Sequence, residues 1–539
     1  MPGKRPCLAH ASFTIFVHAG RMVRRAFPIL ILVLVGVAAL FPSFLWGPGA
    51  THSHQYNYMW TAHFGEQMAA GHLYERWLPR SFEGLGSPTF YFYPPLAYWI
   101  TGGIHALGVS IFQSINLGGL LLVLGSGLSM HAWLAERGTR PLTGAILYML
   151  APYHLYDFYV RGALAEMTAF LWLPLIALAI SWLPRRRGML LLAASYAGLL
   201  IGHLPLALLT GLFLMAPLVV AKIWRDRSSL PPAILGSALA VLLAAFYLLP
   251  AMTLQDEVST AMLWGTDYRA SEWSIWTSSF ELFPCLALAL ILLAWPAQSI
   301  WTGIAVVTAL ASVGLIPFLW HISVLDKVQF PWRAFCIVEF AAVTALMQYR
   351  PRPLILAATG VLLLFPYAFG GLLGAAFLRK PVDYALIERI EPDAPEYLPA
   401  GFDLSRIREN DHWTDVSRWR DLPRGDHVRV QRDGPVVLGR SAFPIWRVMR
   451  DGEPVPSDGP LMHFDARPGV YHIERVTIWQ ERWGAAISLA GLMFLMLSLV
   501  LPRAISLLSK FPAYSPLPAL SDRPYSGGLG RSRASGGEL

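Results

Sequence analysis

Charged side chains interrupt an apolar part of the chain at Pro152–Phe170, where the sequence reads PYHLYDFYVRGALAEMTAF. Asp157 and Arg161 are four residues apart, so they share one face if this segment is helical. Glu166 lies about one turn inside the apolar run 163–183, and an acid there needs a partner or a function. Two interpretations stay open: a buried Arg161–Glu166 or Asp157–Arg161 pair that fixes helix packing, or a carboxylate that accepts a proton in catalysis.

A second charged position lies in Gln329–Phe335 (QFPWRAF), which brings Arg333 to the edge of another apolar run. A guanidinium matches phosphate oxygens bidentately, so Arg333 is a candidate for phosphate binding. The alternative is an interfacial arginine whose stem packs on apolar surface. Glu339 lies inside the run that follows, and His203 lies at the end of an earlier one.

The segment 51–99 is rich in histidine, acids, glycine, proline and aromatic residues. Such aromatic residues suit the binding of sugar faces or lipid head groups, but they also form the aromatic belts of membrane interfaces. A belt needs no acids, so acids such as Glu66 are the stronger functional candidates. His52, His54 and His63 lack a recognised metal-ligand spacing, so a divalent metal is only an alternative here.

The composition identifies the elements that must carry these residues. Of 539 residues, 55% are hydrophobic and 14% are charged, against about 25% charged in an ordinary globular chain. This excludes an ordinary soluble protein and excludes disorder for most of the chain. The formal net charge of +8 does not require nucleic acid as a partner, because Lys and Arg also orient membrane helices. The three cysteines lie outside the soluble region defined below and predict no disulfide framework and no zinc cluster.

The fold class that follows is an all-α polytopic membrane protein. A spanning helix needs about 20 mostly apolar residues, and the apolar runs predict about twelve spans. The runs lie near 27–46, 112–134, 141–154, 163–183, 189–203, 206–222, 231–250, 277–295, 299–318, 334–349, 353–375 and 484–502.

Positive charge predicts the orientation, because loops rich in Lys and Arg stay in the cytoplasm. Arginines ahead of the first run place the N-terminal segment 1–26 inside. If the short apolar segment Pro94–Gly108 lies along the outer face without spanning, the later basic loops also fall inside. The membrane domain then covers 27–376, with a large outer loop at 47–111 and a short one at 155–162.

Residues 377–483 form a soluble region of ordinary domain size on the outer side. Alternating residues predict strands at His427–Gln431, Pro435–Leu438, Trp446–Met449 and Val470–Ile473. Asp-Gly pairs at 433–434, 451–452 and 458–459 are hairpin-type turn signals. We expect a small β-sandwich-like domain, then a last helix at 484–502. The tail 503–539, rich in Pro, Ser and Gly, is expected to be cytoplasmic and disordered.

Four stretches give the chain a family resemblance: Gly71–Pro79 (GHLYERWLP), Gly84–Tyr98 (GLGSPTFYFYPPLAY), Pro152–Glu166 and Gln329–Phe335. With the span pattern and the late soluble domain, they make the sequence similar to bacterial membrane proteins of the GT-C glycosyltransferase superfamily. It resembles most the group labelled 6-pyruvoyl-tetrahydropterin synthase-related membrane proteins. A pterin synthase is a small soluble zinc enzyme, and nothing comparable is visible in the sequence.

The resemblance implies a GT-C-like fold and an activity. The activity is transfer of a sugar from a polyprenyl-phosphate-linked donor to an envelope glycan, lipid or protein. The reaction would take place at the periplasmic face of the bacterial inner membrane, in contact with membrane lipids. Enzymes of this superfamily usually carry an acid early in the first outer loop, and related sequences have His-Asp where this chain has His52-Ser53. The acids that would take over the catalytic role are Glu166, Asp157 and Glu66.

The resemblance also implies binding residues. Arg161, Arg333 and Arg76 would hold the lipid phosphate, and Trp77, Tyr93, Tyr98 and His54 would contact the sugar or the lipid. Two other functions stay open. A transporter or flippase of lipid-linked glycans should show inverted repeats, and none is evident in the sequence. A non-catalytic scaffold for envelope assembly would be consistent with Ser53.

Overall fold

The computed structural model describes residues 7–47, 49–265, 269–275, 282–364, 382–403, 419 and 421–500. Within these ranges the chain is mostly helical, with short strands near its C-terminal end. The predicted tail 503–539, residues 1–6 of the N-terminal segment and the second half of the run 353–375 lie outside the described residues.

Every predicted apolar run coincides with helix where the chain is described. The helices of seven or more residues are Cys7–Trp46, His54–Ala69, Leu96–Ala106, Ile111–Glu136, Pro141–Met149, Leu164–Trp182, Arg186–Leu200, Leu204–Thr210, Ala216–Arg225, Leu230–Leu243, Ala245–Thr253, Leu282–Ala294, Ile300–Ser312, Phe335–Tyr349, Pro353–Leu364, Tyr384–Ile390 and Trp479–Val500. Among the described helices, five are long and apolar enough to cross a membrane, or six if the bent pair Arg227–Leu243 and Ala245–Thr253 counts as one span. The chain is therefore a membrane protein, but the predicted number of about twelve spans is not confirmed.

The difference between the predicted number of spans and the number of helices long enough to span has two physical causes. Helices such as Ile300–Ser312 and Phe335–Tyr349 have 13 and 15 residues, so at about 1.5 Å per residue they are shorter than a hydrocarbon core of about 30 Å. The run 141–154 is broken instead. A residue before proline avoids the helical region, and Ala151 before Pro152 is extended, with φ −62° and ψ 143°.

The first predicted outer loop is itself largely helical. Helices His54–Ala69 and Leu96–Ala106 pack with their backbones in contact, since a Cβ added to Gly65 would lie 2.9 Å from the carbonyl oxygen of Gly102. Leu96–Ala106 has only 11 residues. It is too short to span, in agreement with the prediction for Pro94–Gly108.

Among the described residues, six strands form two small antiparallel sheets. The strands are His427–Val430 (β1), Gly434–Ser441 (β2), Trp446–Arg450 (β3), Glu453–Val455 (β4), Leu461–Ala466 (β5) and Gly469–Arg475 (β6). One sheet has the order β1-β6-β3-β4 and the other pairs β2 with β5. Side chains of both sheets, including Val448 and Phe464, share one buried cluster. The predicted small sandwich is therefore present, although β4 and β5 were not predicted.

Only one of the three Asp-Gly pairs makes a hairpin between paired strands. Asp451 and Gly452 join β3 to β4 with φ values of +51° and +87°, as a two-residue hairpin turn requires. The pair at 433–434 joins β1 to β2, which lie in different sheets, and the pair at 458–459 joins β4 to β5, which also do. The hairpin interpretation of the pair at 433–434 is wrong, because local turn chemistry does not specify which strands pair. The pair at 458–459 does begin a tight antiparallel turn, in which Asp458 and His463 exchange backbone hydrogen bonds of 2.9 and 3.0 Å.

The sandwich packs directly on the first outer loop. Phe82 and Leu85 of the loop share a buried cluster with Leu461, and the backbone N–H of Ser441 donates to the carbonyl of Leu85 at 2.8 Å. A second buried cluster joins Trp77 and Tyr91 of the loop to Phe443 and Ile445. Residues Met1–Met493 accordingly form one compact unit.

Candidate functional site

Backbone hydrogen bonds join the first predicted outer loop (47–111) to the second (155–162). The N–H of His52 donates to the carbonyl of Val160 at 3.0 Å, and the N–H of Ser53 donates to the carbonyl of Arg161 at 3.1 Å. Ser53 therefore lies beside Arg161. Gly162 follows with a φ of +63°, and a Cβ there would lie 2.1 Å from Oγ1 of Thr51. Only glycine fits this junction without displacement.

A buried charged cluster lies at this junction. Asp157–Arg161 forms one turn of π-helix, in which Nη1 of Arg161 lies 2.8 Å from Oδ1 of Asp157. The same nitrogen lies 2.6 Å from Oε1 of Glu166, and the Tyr153 hydroxyl donates to that oxygen at 2.6 Å. Glu166 is only 1% exposed and Asp157 is 0% exposed. The Asp157–Arg161 contact, predicted from the spacing, and the Arg161–Glu166 pair, one of the two open interpretations, are both present.

The other oxygen of Glu166 faces Arg333 and His203. Nε of Arg333 lies 3.4 Å from Oε2 of Glu166 and Nε2 of His203 lies 4.0 Å from it. Nδ1 of His203 accepts from the backbone N–H of Leu206, so the neutral ring carries its proton on the nitrogen that faces Glu166. Arg333 is anchored by a bond from Nη1 to the carbonyl of Val328 at 2.7 Å.

The two acids of the cluster differ in their electrostatics. Burial and the neighbouring Glu166 raise the pKa of Asp157 well above its ordinary value, although Arg161 opposes the shift. Asp157 is therefore neutral more readily than a surface aspartate. Oδ2 of Asp157 and Oε2 of Glu166 are buried and have no hydrogen-bond partner among the described residues, so both point to a polar partner such as a ligand or water.

Aromatic side chains of the first loop line the same region. The Tyr98 hydroxyl donates to Oδ1 of Asn57 at 2.8 Å, and the Asn57 amide donates to the carbonyl of Gly162 at 2.6 Å. Tyr93, whose ring centroid lies 4.5 Å from that of Trp60, is within electrostatic range of Glu166, Arg161 and Arg333. Tyr98 is therefore linked through Asn57 to Gly162, and a role of Tyr93 and Tyr98 in binding sugar or lipid stays a prediction.

His54 lies on the other side of Gly162. Its Nδ1 is 2.5 Å from the carbonyl oxygen of Thr51. It lines a pocket of about 340 Å³ whose other wall is largely apolar. The remaining lining residues are Thr51, Asn57, Tyr58, Phe112, Ile115, Phe158, Gly162, Leu164 and Tyr384.

Three predicted residues lie away from the cluster. Glu66 is 45% exposed and pairs with Arg80 at 2.7 Å. Trp77 is buried against Trp446, with ring centroids 5.3 Å apart. Arg76 donates to the carbonyl of Phe246 at 3.1 Å and also belongs to a separate ionic network.

That network joins the first loop to the start of the last helix. Nη1 of Arg76 lies 3.4 Å from Oε1 of Glu481, and the Tyr91 hydroxyl donates to the same oxygen at 2.7 Å. Nη1 of Arg475 lies 2.9 Å from Oε2 of Glu75. Arg76, predicted to hold the lipid phosphate, therefore lies in this network and not in the cluster around Glu166.

Two residues of the site were not predicted from the sequence. Tyr153 lies 13 residues before Glu166, a separation without a helical or strand periodicity that would signal contact. Glu396 lies in the segment 382–403, between Asp393, which accepts from Trp60 at 2.8 Å, and Tyr397, which stacks on Phe92. Glu396 is within electrostatic range of Tyr93, and burial raises the pKa of its carboxyl to about 7. Only the folded arrangement brings these groups together.

Across the residues that the structure describes, no group of three or more His, Cys, Asp or Glu side chains could hold a metal ion. The cluster around Glu166 contains carboxylates, guanidinium groups, a phenol and an imidazole.

Residues 90–265 match the family described as "6-pyruvoyl-tetrahydropterin synthase related domain; membrane protein". The match covers about a third of the chain and includes the whole of Pro152–Glu166. It confirms the family resemblance drawn from the motifs. Gly71–Pro79 and Gln329–Phe335 lie outside the matched residues.

The chain is also similar to solved structures of the arabinofuranosyltransferase AftD from Mycobacteria. One is 16% identical with a TM-score of 0.42, and covers 65% of this chain and 27% of that one. A second, of a variant of the same enzyme, is 16% identical with a TM-score of 0.40, and covers 64% and 27%. The chain thus spans about a quarter of the length of that enzyme. A comparison with curated proteins gives no significant match.

Proposed function

We propose that this protein is a membrane glycosyltransferase. It would move a sugar from a polyprenyl-phosphate-linked donor to an envelope glycan, lipid or protein at the outer face of the bacterial inner membrane. The observation that carries the proposal is the position of Glu166, a buried carboxylate between the guanidinium groups of Arg161 and Arg333. Tyr93 interacts electrostatically with Glu166, and Tyr98 is linked through Asn57 to Gly162.

The reaction needs one base and a site for a phosphate. The acceptor hydroxyl attacks the anomeric carbon of the donor, and its proton passes to the carboxylate of Glu166. The bond between the anomeric carbon and the phosphate oxygen breaks, and its electron pair stays on that oxygen. Arg161 and Arg333 suit the stabilisation of this charge, because guanidinium groups bind phosphate oxygens bidentately and low dielectric strengthens the attraction.

Glu166 is better suited to the role of base than Asp157. The raised pKa of Asp157 favours its neutral form, which cannot accept the proton. Glu166 has Oε1 held by Tyr153 and Arg161, while Oε2 makes no hydrogen bond among the described residues. One oxygen fixes the orientation and the other is the proton acceptor.

The test is sugar transfer by the purified full chain in lipid nanodiscs with a panel of polyprenyl-phosphate sugars. We expect transfer from one donor class and a loss of about 10²–10⁴-fold in Glu166→Gln. Glu66→Gln is the matched control, because Glu66 is an exposed first-loop acid paired with Arg80. An absence of transfer from every donor by a folded wild type, or a wild-type rate in Glu166→Gln, would contradict the proposal.

A further inference from the structure

Glu339 lies in the middle of helix Phe335–Tyr349, and its side chain is 0% exposed. A buried carboxylate is costly unless hydrogen bonds satisfy it. Its Oε1 accepts from the backbone N–H of Tyr153 at 2.6 Å, and its Oε2 accepts from that of His154 at 3.2 Å. Both oxygens are thus committed to the backbone of another helix.

These two N–H groups belong to the first turn of the short helix Pro152–Tyr156, where backbone donors have no partner within the helix. In most helices a Ser, Thr, Asp or Asn just before the first turn accepts one of those bonds. Here that position is Ala151, which has no side-chain acceptor. Glu339 therefore supplies, from a neighbouring helix, the cap that the local sequence lacks.

The helix that Glu339 caps carries Tyr153 into the charged cluster. The Tyr153 hydroxyl donates to Oε1 of Glu166 at 2.6 Å and accepts from Nη1 of Arg161 at 2.8 Å. Glu339 thus binds the backbone of the residue whose side chain binds Glu166. A shift of the capped turn would move the hydroxyl away from that carboxylate.

We propose that Glu339 is a positioning residue, which holds the Tyr153 hydroxyl against Glu166 and so fixes that carboxylate between its two arginines. The inference rests on the proposed function for the part that Glu166 plays in transfer. The link from Glu339 through Tyr153 to Glu166 is a structural claim, and it can be measured separately from sugar transfer. If Glu339 served packing alone, a folded variant at 339 would leave the reactivity of Glu166 unchanged.

Carbodiimide labelling of Glu166 measures the effect of Glu339 on that carboxylate without requiring sugar transfer. The folded full chain in detergent micelles is treated with dicyclohexylcarbodiimide, and the label on Glu166 is quantified by peptide mass spectrometry. A carboxylate that loses a hydrogen-bond donor takes up a proton more readily and reacts faster. We expect Glu339→Gln and Tyr153→Phe each to raise the labelling rate by roughly tenfold, the effect of one lost bond to a charged group. The double variant should add nothing further.

Thr344→Val is the matched control on the same helix. Thr344 is also fully buried and accepts from Nε1 of Trp133 at 3.1 Å, away from Tyr153. It should lose stability without changing the labelling of Glu166. If Glu339→Gln does not fold, Glu339→Asp, which retains the carboxylate but is shorter, is compared in the same way. Wild-type labelling in the 339 variant beside faster labelling in Tyr153→Phe would overturn the proposal, and so would additive effects in the double variant.

Transfer kinetics separate this inference from the proposed function. In an active protein, Glu339→Gln and Tyr153→Phe should shift the pH profile of the transfer rate in the same direction, while Thr344→Val leaves it in place. If the folded wild type transfers no sugar, the proposed function fails, and the labelling experiment still decides whether Glu339 acts on Glu166 through Tyr153.

Discussion

Nη1 of Arg161 lies 2.6 Å from Oε1 of Glu166, and the same nitrogen lies 2.8 Å from Oδ1 of Asp157. One guanidinium nitrogen therefore contacts two buried acids from two consecutive elements. This arrangement allows either a structural role or a chemical role for Glu166. The two roles predict different stabilities and transfer rates for variants of Glu166.

We expect Glu166→Gln to fold and to lose about 10²–10⁴-fold in transfer rate, because the amide keeps the shape of the side chain but cannot accept the proton. Melting temperature and transfer rate are measured on the same purified preparation. A purely structural pair predicts the opposite pattern. The single variant would then lose stability, up to about 3–5 kcal/mol, because Arg161 would keep only Asp157 as an acidic partner, and the double variant with Arg161→Gln would recover stability. That outcome would leave Asp157 as the better candidate within the cluster.

Glu396 predicts a pH-dependent stability. Burial raises the pKa of its carboxyl from the ordinary 4.5 to about 7, so the folded protein favours the neutral form. Below pH 4.5, ionisation of Glu396 does not reduce the free energy of unfolding. The free energy of unfolding falls as the pH rises towards 7, and above pH 7 the full cost of the buried charge is present. Glu396→Gln stays neutral, so it should gain melting temperature relative to wild type at pH 8 and little at pH 5. An equal gain at both pH values would show that Glu396 does not titrate in this range. Glu66→Gln shows the effect of removing an exposed acid.

Two glycines with the same backbone conformation give a matched pair. Gly162 and Gly138 both have a φ of +63°, but only Gly162 has close neighbours, with a Cβ position 2.1 Å from Oγ1 of Thr51. Gly138→Ala should lose about 1 kcal/mol of stability from the left-handed conformation alone. Gly162→Ala should lose more, and should lower transfer, because the junction of the two outer loops must open. Equal losses of stability in detergent unfolding would show that the junction adjusts freely.

The topology predicts that residues 377–483 lie outside. Basic loops flank this region on both sides in the sequence and favour the cytoplasm. A reporter fused near Gly434 should be active only if it is a type that requires export, and a fusion near Gly138 should show the reverse. Activity of a cytoplasm-dependent reporter at Gly434 would overturn the orientation and the outer position of the charged cluster.

The sequence predicts local relationships well and distant ones poorly. Apolar runs give the helices, and the spacing of Asp157 and Arg161 gives a contact that the structure contains. Tyr153 was missed because its contact with Glu166 follows no helical period. Arg76 was expected at a phosphate, yet its partner Glu481 lies 405 positions away. No pattern in one sequence reveals which cation is already satisfied by so distant an acid.

The pairing of Glu75 with Arg475 has a consequence for biosynthesis. The two residues are separated by 400 positions, and a ribosome adds about 5–20 residues per second. The first outer loop would therefore wait roughly 20–80 s for its ionic partner, while most of the remaining chain is translated and inserted. In a nascent chain that ends before residue 475, Glu75 would lack its partner Arg475, and the surface of the first loop around it would be exposed.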